Sequence, residues 1–573
     1  MSFQALNIAA SSLRTQQKAI DVVSHNIANV NTPGYSRQTP NVTTATPEHI
    51  SGLDFGRGIH LDSIGRTVDP LISNAQRENT SQFEFWSQVS TGLATVENSF
   101  GSLDNTGLAA AVDDYFLSWQ QLSNNPQDTA QKYNVRTKSE VLINQLNTMR
   151  SQLSAGQVKL DQSIDQQLVQ ANLSLDKIGA LSQQISIHEA GKQGNTSIAN
   201  DLRDQRDLAI RELAAIIPIQ EVNTQDGGIL IQTKGGDLLT QDGVVRHLAR
   251  NTVSSTGYQG IVIADTNQQV QGLEQGGSLG GTLKLRDEYY QGYIDTLDSF
   301  AANLAFSTNQ IQSNASSPTR FSNIQSGQGT SNPALPLNDA TQQVAFANQV
   351  QAGSFNVYVY NSTGTPLGVT TINIAANTTM NDVALSLNAV AGISATVDNA
   401  GRLNIDAGTN TISLGHDTSN MLAAYEIGTF FHGSTAGNIS IAQYIQDDVT
   451  SIGTGYIDPA TATLQLGDNR AAIAIMNLQD SALSVDGSTA ASLHERVSGL
   501  SSRYGLDVDI ANQQTSYRKA EASSLIQQRE AISGVNVDEE LIAMMKFQRA
   551  YEASAKLIST NNQMLDSLMG ILR

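Results

Sequence analysis

Residues 6–30 read LNIAASSLRTQQKAIDVVSHNIANV, and within them Leu6, Ala9, Leu13, Gln16, Ile20, Val23, Ile27 and Val30 recur in a 3-4 alternation, seven of the eight apolar. The far end of the chain answers with Leu541, Met544, Gln548, Tyr551, Ala555, Ile558, Asn562, Leu565, Met569 and Leu572, eight of ten apolar and in the same alternation to within one residue of the last step. So narrow a stripe is a seam for a facing helix rather than the broad apolar face of an ordinary core helix. The ends are therefore expected to pair. Gln16, Gln548 and Asn562, polar positions inside the seam, are the register candidates. A core helix within one domain is the competing reading, and the spacing does not separate a strict coiled coil from a tubular helical array.

At 573 residues the chain exceeds one core, and ordinary domain sizes give roughly three to five. Charged residues are only 15% of it, so the surface is rich in amides and hydroxyls. The net charge of -20 is unevenly placed. Residues 1–40 carry Arg14, Lys18 and Arg37 against Asp21, and residues 535–573 carry four basic against five acidic side chains, so the ends together sit near +1. The acidic remainder keeps the protein soluble while the ends can crowd together. Nothing clusters Lys and Arg as nucleic-acid binding requires, so no nucleic acid is expected as a partner. Cysteine is absent, which removes disulfides and thiolate chemistry. No basic, then apolar, then small-residue pattern marks a cleaved signal peptide. The longest apolar run, Ala471 to Met476, is far too short for membrane insertion.

The first helix should end around Asn29 to Asn31, because Pro33 disfavours helix at Thr32 and Pro33-Gly34 suits the centre of a type II turn. Asn29, Asn31, Thr32, Pro33, Gly34 and Tyr35 form this corner, which either fixes the angle at which the helix leaves for the next domain or is an ordinary turn. Residues 38–70 read as an extended hairpin-like segment. Residues 71–216 and 467–534 form a helical bundle domain, with Leu146, Met149, Leu153, Gly156, Leu160, Ile164, Leu168, Ala171, Leu175, Ile178, Ser182 and Ile185 stepping mostly by three and four. Residues 217–318 switch to short Gly-punctuated strands with a closing helix over about 286–312. Residues 313–340 read as a Ser/Asn/Gly/Pro linker into a small β-rich domain, 319–435, and 436–466 is a mixed return segment. Within the small domain a β-β-α-β-β order fits, with Thr379 and Asp382 as a capping box and Asp398-Asn399-Ala400-Gly401 as a hairpin turn. The fold class is multidomain α+β: a long helical bundle formed by the N- and C-terminal segments, 1–37 and 535–573 paired as its inner part, with inserted β-rich outer domains.

Ser24-His25-Asn26-Ile27-Ala28-Asn29-Val30-Asn31-Thr32-Pro33-Gly34-Tyr35-Ser36-Arg37-Gln38 closely resembles the N-terminal signature of the bacterial flagellar rod, hook and hook-associated axial proteins. Gly534-Val535-Asn536-Val537-Asp538-Glu539-Glu540, Phe547-Gln548-Arg549-Ala550-Tyr551 and Ala553-Ser554-Ala555 resemble that family's C-terminal signature. The long helical region with Asn125-Pro126 near its start and the return at Gly467-Asp468-Asn469 are similar to the members at the hook–filament junction, whereas rod and hook proteins have mainly β middles. The 379–406 segment resembles a small insert of hook-associated proteins and flagellins. The resemblance implies a structural, self-assembling axial component at the junction between hook and filament, exported unfolded by the flagellar type III apparatus and extracellular on the flagellum. It implies as partners other copies of the chain, the hook protein, the second hook-associated protein and an export chaperone on the C-terminal helix. We expect the two ends to be frayed in the free chain and to order on assembly around a central axis, since isolated helices are marginal in water.

No site for chemistry stands out, and no cofactor, metal or catalytic residue is expected. His188-Glu189 and His494-Glu495 open like metalloprotease helices, but Lys192 and Ser498 stand where a second histidine is needed. Gly327-Gln328-Gly329 lacks the third glycine of a dinucleotide fingerprint. Asp507 and Asp509 lack a calcium loop, and Trp86 and Trp119 read as packing residues. Two alternatives remain: a hook or distal-rod subunit, which strands in place of helices over 71–216 would favour, and a surface-displayed enzyme in the inserted domains, which a titratable cluster in a cleft would favour.

Overall fold

A computed structural model describes residues 2–50, 53–100, 107–189, 199–223, 228–251 and 257–571. The chain divides into two compact units, one of residues 1–92, 160–285 and 509–573, the other of residues 93–159 and 286–508.

In the first unit, the apolar stripe anticipated along the helix Thr129–Glu189 becomes a core: Ile164, Leu168, Ala171, Leu175 and Ile178 lie buried against Ala209, Ile210 and Leu213 of the helix Asn200–Ile216. These residues leave four-residue and three-residue steps on one face, which is why a helix with a mostly polar sequence still has a dry side. The same core takes in the inner face of a four-stranded antiparallel meander, Ile219–Asn223, Ile229–Thr233, Leu238–Gln241 and Val244–Val245, in sequential order. Ile229 and Ile231 point inward while Leu230 and Gln232 are less covered, the period-two pattern of a one-sided sheet. A three-stranded antiparallel sheet, Leu248–Arg250, Ile261–Ile263 and Gln268–Gln269, adjoins it with Ile261–Ile263 central.

The first helix, Ser2–Ala28, packs along the last, Val537–Ile571. It ends one residue before the expected stop. Thr32 O accepts the Tyr35 N–H at 3.2 Å and Gly34 has φ +84°, so Thr32 to Tyr35 is a type II turn with glycine where positive φ is required. Beyond it, Gln38–Thr44 pairs antiparallel with Ile59–Arg66, interrupted by a bulge between Asn41 and Val42. This hairpin also lies against the first helix: Thr15 Oγ1 donates to Ile59 O at 3.3 Å.

The second unit has its own cores. Trp119 and Tyr115 of the helix Leu108–Asn124 are fully buried with Phe430 and Phe431, in edge-on aromatic contacts except for the tilted pair Tyr115 and Phe431. The β-β-α-β-β order is present as Gly353–Tyr360, Pro366–Ile374, Met380–Asn388, Ser394–Val397 and Leu403–Asp406. Thr379 and Asp382 form the reciprocal capping box, and Gly401, at φ +73°, closes the hairpin back to Asp398 O. The strands divide between two sheets, with Gly353–Tyr360 central in one and Leu403–Asp406 central in the other. The stretch read as a linker, 313–340, is instead packed structure: Asn323–Gln325 completes the second sheet, and Ile324 and Leu337 are buried in the core. Its Ser, Asn and Gly content supplies tight turns and side-chain-to-backbone bonds rather than slack, as in the bond from Ser326 Oγ to Gln328 O.

Substituting Leu175, which is wholly buried, by Ala is expected to destabilise the first unit by about 2–5 kcal/mol, read from chemical denaturation. In the second unit, hydrogen bonds from Arg470, with help from the Tyr456 N–H, pull the Asp468 carboxyl down to about 2. A depressed folded value means that the contribution is intact above the ordinary aspartate range and lost as pH falls through about 2. Denaturation between pH 2 and 4 should therefore show a shallower pH dependence for Asp468→Asn than for the native chain.

Candidate assembly site

The corner is held by one buried amide. Asn26, 1% exposed, uses all four of its hydrogen-bonding positions: Nδ2 donates to Gln38 O at 2.8 Å and to Glu540 Oε2 at 2.9 Å, while Oδ1 accepts from the Gln38 N–H at 3.0 Å and from Tyr35 Oη at 2.7 Å. Burial, and the carboxylates of Asp201, Asp204 and Glu540 nearby, push the Tyr35 hydroxyl well above its ordinary range, so it remains a donor. Glu540 is 2% exposed and lies in the first turn of the last helix, where a carboxylate is favoured by the helix dipole. Its Oε1 accepts from Arg37 Nε at 2.7 Å, and Arg37 Nη1 reaches Glu539 at 3.1 Å. Backbone and side chain of the preceding helix, Leu493–Ser533, join in: the Arg37 N–H donates to Ser533 O, and Arg529 donates to Tyr35 O.

The other side of the corner is tied to the helix Asn200–Ile216. The Ser36 N–H donates to Asp204 Oδ2 at 3.0 Å, Gln38 Nε2 to Asp201 at 2.8 Å, and Arg66 bridges Asp204 and Asp207 at 2.8 and 2.9 Å. Gly34 sits against this helix so closely that an added Cβ would stand 3.3 Å from Arg211 Nη2 and 3.4 Å from Leu208 Cβ.

Two polar contacts define how the terminal helices run. Ser12 Oγ and Ser554 Oγ are 2.8 Å apart. From Ser12 to Asn26 the chain advances fourteen residues, and the partner moves back the same fourteen, from Ser554 to Glu540. The helices are antiparallel, and both steps are two heptads. Between these levels the register sets buried Ala19 opposite half-buried Phe547.

Half of the seam read from the sequence lies beside this contact line, while Ala9, Gln16, Val23 and Val30 with Met544, Tyr551, Ile558 and Leu565 step three or four residues from it and share its side. Leu13, Ile20 and Ile27 follow Ser12, Ala19 and Asn26 by one residue, and Leu541, Gln548, Ala555 and Asn562 follow Glu540, Phe547, Ser554 and Asn561 by one. One residue is about 100° around a helix. Ala9 and Val23 are buried; Leu6, Leu13, Gln16, Ile20, Ile27, Met544, Ile558 and Leu565 are half-buried; and Val30, Leu541, Gln548, Tyr551, Ala555, Asn562 and Met569 are exposed. Leu572 lies outside the described residues. Gln16 Oε1 is buried with no hydrogen-bond partner. Of the corner, Asn29, Gly34 and Tyr35 are half-buried, and Asn31, Thr32 and Pro33 are exposed. Asn26, Arg37, Gln38, Glu540, Ser12 and Ser554 were missed as a set. For Ser12, Asn26, Glu540 and Ser554 the signal is the seven-residue spacing of small and polar positions, to which apolar periodicity is blind. Among the described residues, no group of three or more His, Asp or Glu is placed to hold a metal ion, and no helix is long and apolar enough to cross a membrane.

Four known sequence families match in the order expected from this geometry. The flagella basal body rod protein family covers residues 6–35, the helical domain of flagellar hook-associated protein FlgK 93–317, the flagellin hook IN motif 354–409, and the C-terminal domain of flagellar basal body rod proteins FlgEFG 526–571. Flagellar hook-associated protein 1 of Salmonella typhimurium is 27% identical over 99% of both chains, and those of Escherichia coli and Bacillus subtilis are 26% and 23% identical over 98–99%. Along its whole length the chain is similar to flagellar hook-associated protein 1. The solved structure of the flagellar hook junction protein FlgK from Burkholderia pseudomallei is similar in fold, with a TM-score of 0.50 at 16% identity over 80% of this chain and all of that one. The two rod-type matches contain the paired helices and, in Glu540 and Asn26, both sides of the buried contact.

Gly34→Val is the sharpest local test of the corner. Its φ and the nearness of Arg211 should together cost at least the roughly 1–2 kcal/mol of a side chain in the left-handed region, and amide exchange at Tyr35 should accelerate accordingly.

Proposed function

We propose that the chain is a structural subunit of the bacterial flagellum, assembling with copies of itself into the short zone that joins hook to filament, and doing no catalysis. The observation that carries this reading is the uncovered side of the terminal pair. Leu541, Ile542, Met545 and Leu557 are 45%, 63%, 50% and 61% exposed, on a helix whose opposite side is already packed. Burying a large apolar side chain is worth about 1.5–3 kcal/mol, so a helix pair with this much uncovered surface gains most by meeting further copies. The part of the seam beside the intramolecular contact line, including Leu541 and Met569, is the surface for those copies. The exposed polar positions Gln548 and Asn562 lie on the same side and would meet groups of a neighbour.

The same economy explains why the ends fray in the free chain and order on assembly. A chain held open at its ends suits passage through the flagellar type III apparatus without a cleaved signal peptide. An export chaperone would take the exposed side of the last helix until release. In the finished structure, outside the cell, the neighbours are the hook protein on one side and the second hook-associated protein on the other. The names of the relatives, flagellar hook-associated protein and hook junction protein, support the hook as a neighbour. A hook or distal-rod subunit is the weaker reading, because the described residues of 71–216 form the helices Pro70–Phe100, Leu108–Asn124, Thr129–Glu189 and Asn200–Ile216 rather than strands.

A strain lacking the protein should make hooks without filaments and shed filament subunits into the medium, as seen by electron microscopy and immunoblotting; intact filaments would refute the junction role. Limited proteolysis of the dilute purified chain should cut within the terminal helices before either compact unit, and both ends resisting protease would count against fraying.

A further inference from the structure

We infer that the corner is a register lock: Asn26, held by Tyr35 and Gln38, together with Arg37, receives Glu540 and thereby fixes which residue of the last helix stands opposite which residue of the first. The reading of the chain as an axial subunit gives the lock its consequence, but the lock itself is read within a single chain.

The contact line alone does not fix a register. Along the first helix it runs through Ser12, Ala19 and Asn26, and along the last through Glu540, Phe547, Ser554 and Asn561, all at seven-residue intervals. Apolar packing at such a repeat is nearly indifferent to a slip of one heptad, because every slipped layer again faces a layer. The polar layers are not indifferent. In the observed register, Glu540 accepts one hydrogen bond from the Asn26 amide and one from the Arg37 guanidinium, in a place that is almost wholly dry. Slipped one way, the carboxylate would lie against the methyl of Ala19, buried and unpaired. Slipped the other way, it would pass the end of the first helix and leave Asn26 opposite the ring of Phe547. Both leave buried polar groups without partners, which is the expensive outcome.

Asn26, moreover, cannot turn elsewhere. Its other three bonds, from Gln38 N, to Gln38 O and from Tyr35 Oη, fix the amide plane and leave one N–H aimed at the last helix. The type II turn is what brings Tyr35, Arg37 and Gln38 back over Asn26, within twelve residues of chain. The corner thus does more than set an exit angle. It builds a shaped, donor-rich socket for one carboxylate, and the pairing of Arg37 with Glu540 and Glu539 adds the charge that selects an acidic first turn rather than any other part of the last helix. Asn26, Tyr35, Arg37, Gln38 and Glu540 are positioning residues in this account.

The absence of native cysteine makes register directly measurable. Two reporters are placed in the full chain: Ser12→Cys with Ser554→Cys, which are in contact, and Ser12→Cys with Asn561→Cys, one heptad out. Disulfide formation under mild oxidant is followed on non-reducing gels at low protein concentration, where intramolecular bonds dominate. Fraying slows both pairs alike, so the ratio of rates reads register alone. The in-register pair should close at least tenfold faster in the native background. With Asn26→Leu and Glu540→Leu together, which keep the helices apolar and able to pair, that preference should fall severalfold and the out-of-register pair should gain. The conservative Glu540→Gln, which keeps an acceptor for Asn26, should retain part of the preference. An undiminished preference in the double leucine variant would overturn the lock, as would equal rates in the native background. Either failure leaves the junction role standing, since that role is decided by the filament phenotype of a strain lacking the protein.

Discussion

One buried carboxylate ties the beginning of this chain to its end. Glu540 sits in a dry position that only the Asn26 amide and the Arg37 guanidinium make tolerable, and these two come from opposite sides of a turn more than five hundred residues away in sequence. A buried ion pair of this kind is weak evidence for stability, because desolvation offsets much of its attraction. Its value lies in intolerance of alternatives. Everything inserted between residues 38 and 533 can be long, varied and internally complete, provided that its two exits bring the corner and the last helix to the same place. The helix Asn200–Ile216, through Asp204 and Asp201, and the helix Leu493–Ser533, through Ser533 O and Arg529, supply that placement.

The two sides of the last helix then have different tasks. The side facing the first helix is built from Glu540, Phe547, Ser554 and Asn561, a line in which three of four positions are polar or small. Such a line lets backbones approach and specifies alignment, and it contributes little apolar burial. The side turned away carries Leu541, Ile542, Met545 and Leu557, where most of the available hydrophobic energy lies. Specification within the chain and the uncovered apolar surface thus lie on different sides of one helix, with Leu541, Met545 and Ile542 turned roughly 100–200° from Glu540. A subunit with so much apolar surface still uncovered is marginal alone and gains stability in company.

Much of this was legible in the sequence, for identifiable reasons. The helix Thr129–Glu189 has long, unambiguous periodicity, and Leu146, Met149, Leu153, Ile164, Leu168 and Leu175 are all buried. Pro33-Gly34 and the Thr379/Asp382 box are local signals whose geometry depends on few neighbours, and both formed. The residues of the lock were not legible in the same way. Hydropathy weights Leu13, Ile20 and Ile27 above Ser12, Ala19 and Asn26, although it is the smaller and more polar line that faces the partner. The segment 313–340 has the composition of a linker, and only its contacts with the strand Leu403–Asp406 show that its turns are packed. In both places tertiary context decided what local propensity left open.

The central claim is that the two ends of each chain pair antiparallel with Glu540 level with Asn26, and that neighbouring chains cover the outward side of the pair. A cryo-electron microscopy map of the isolated hook–filament junction, at a resolution that shows side chains, tests this most directly. The account predicts continuous density from Glu540 to Asn26 and Arg37 within each subunit, and Leu541, Ile542, Met545 and Leu557 buried against adjacent subunits. Terminal helices lying apart, paired in another register, or leaving those four side chains in solvent would contradict it.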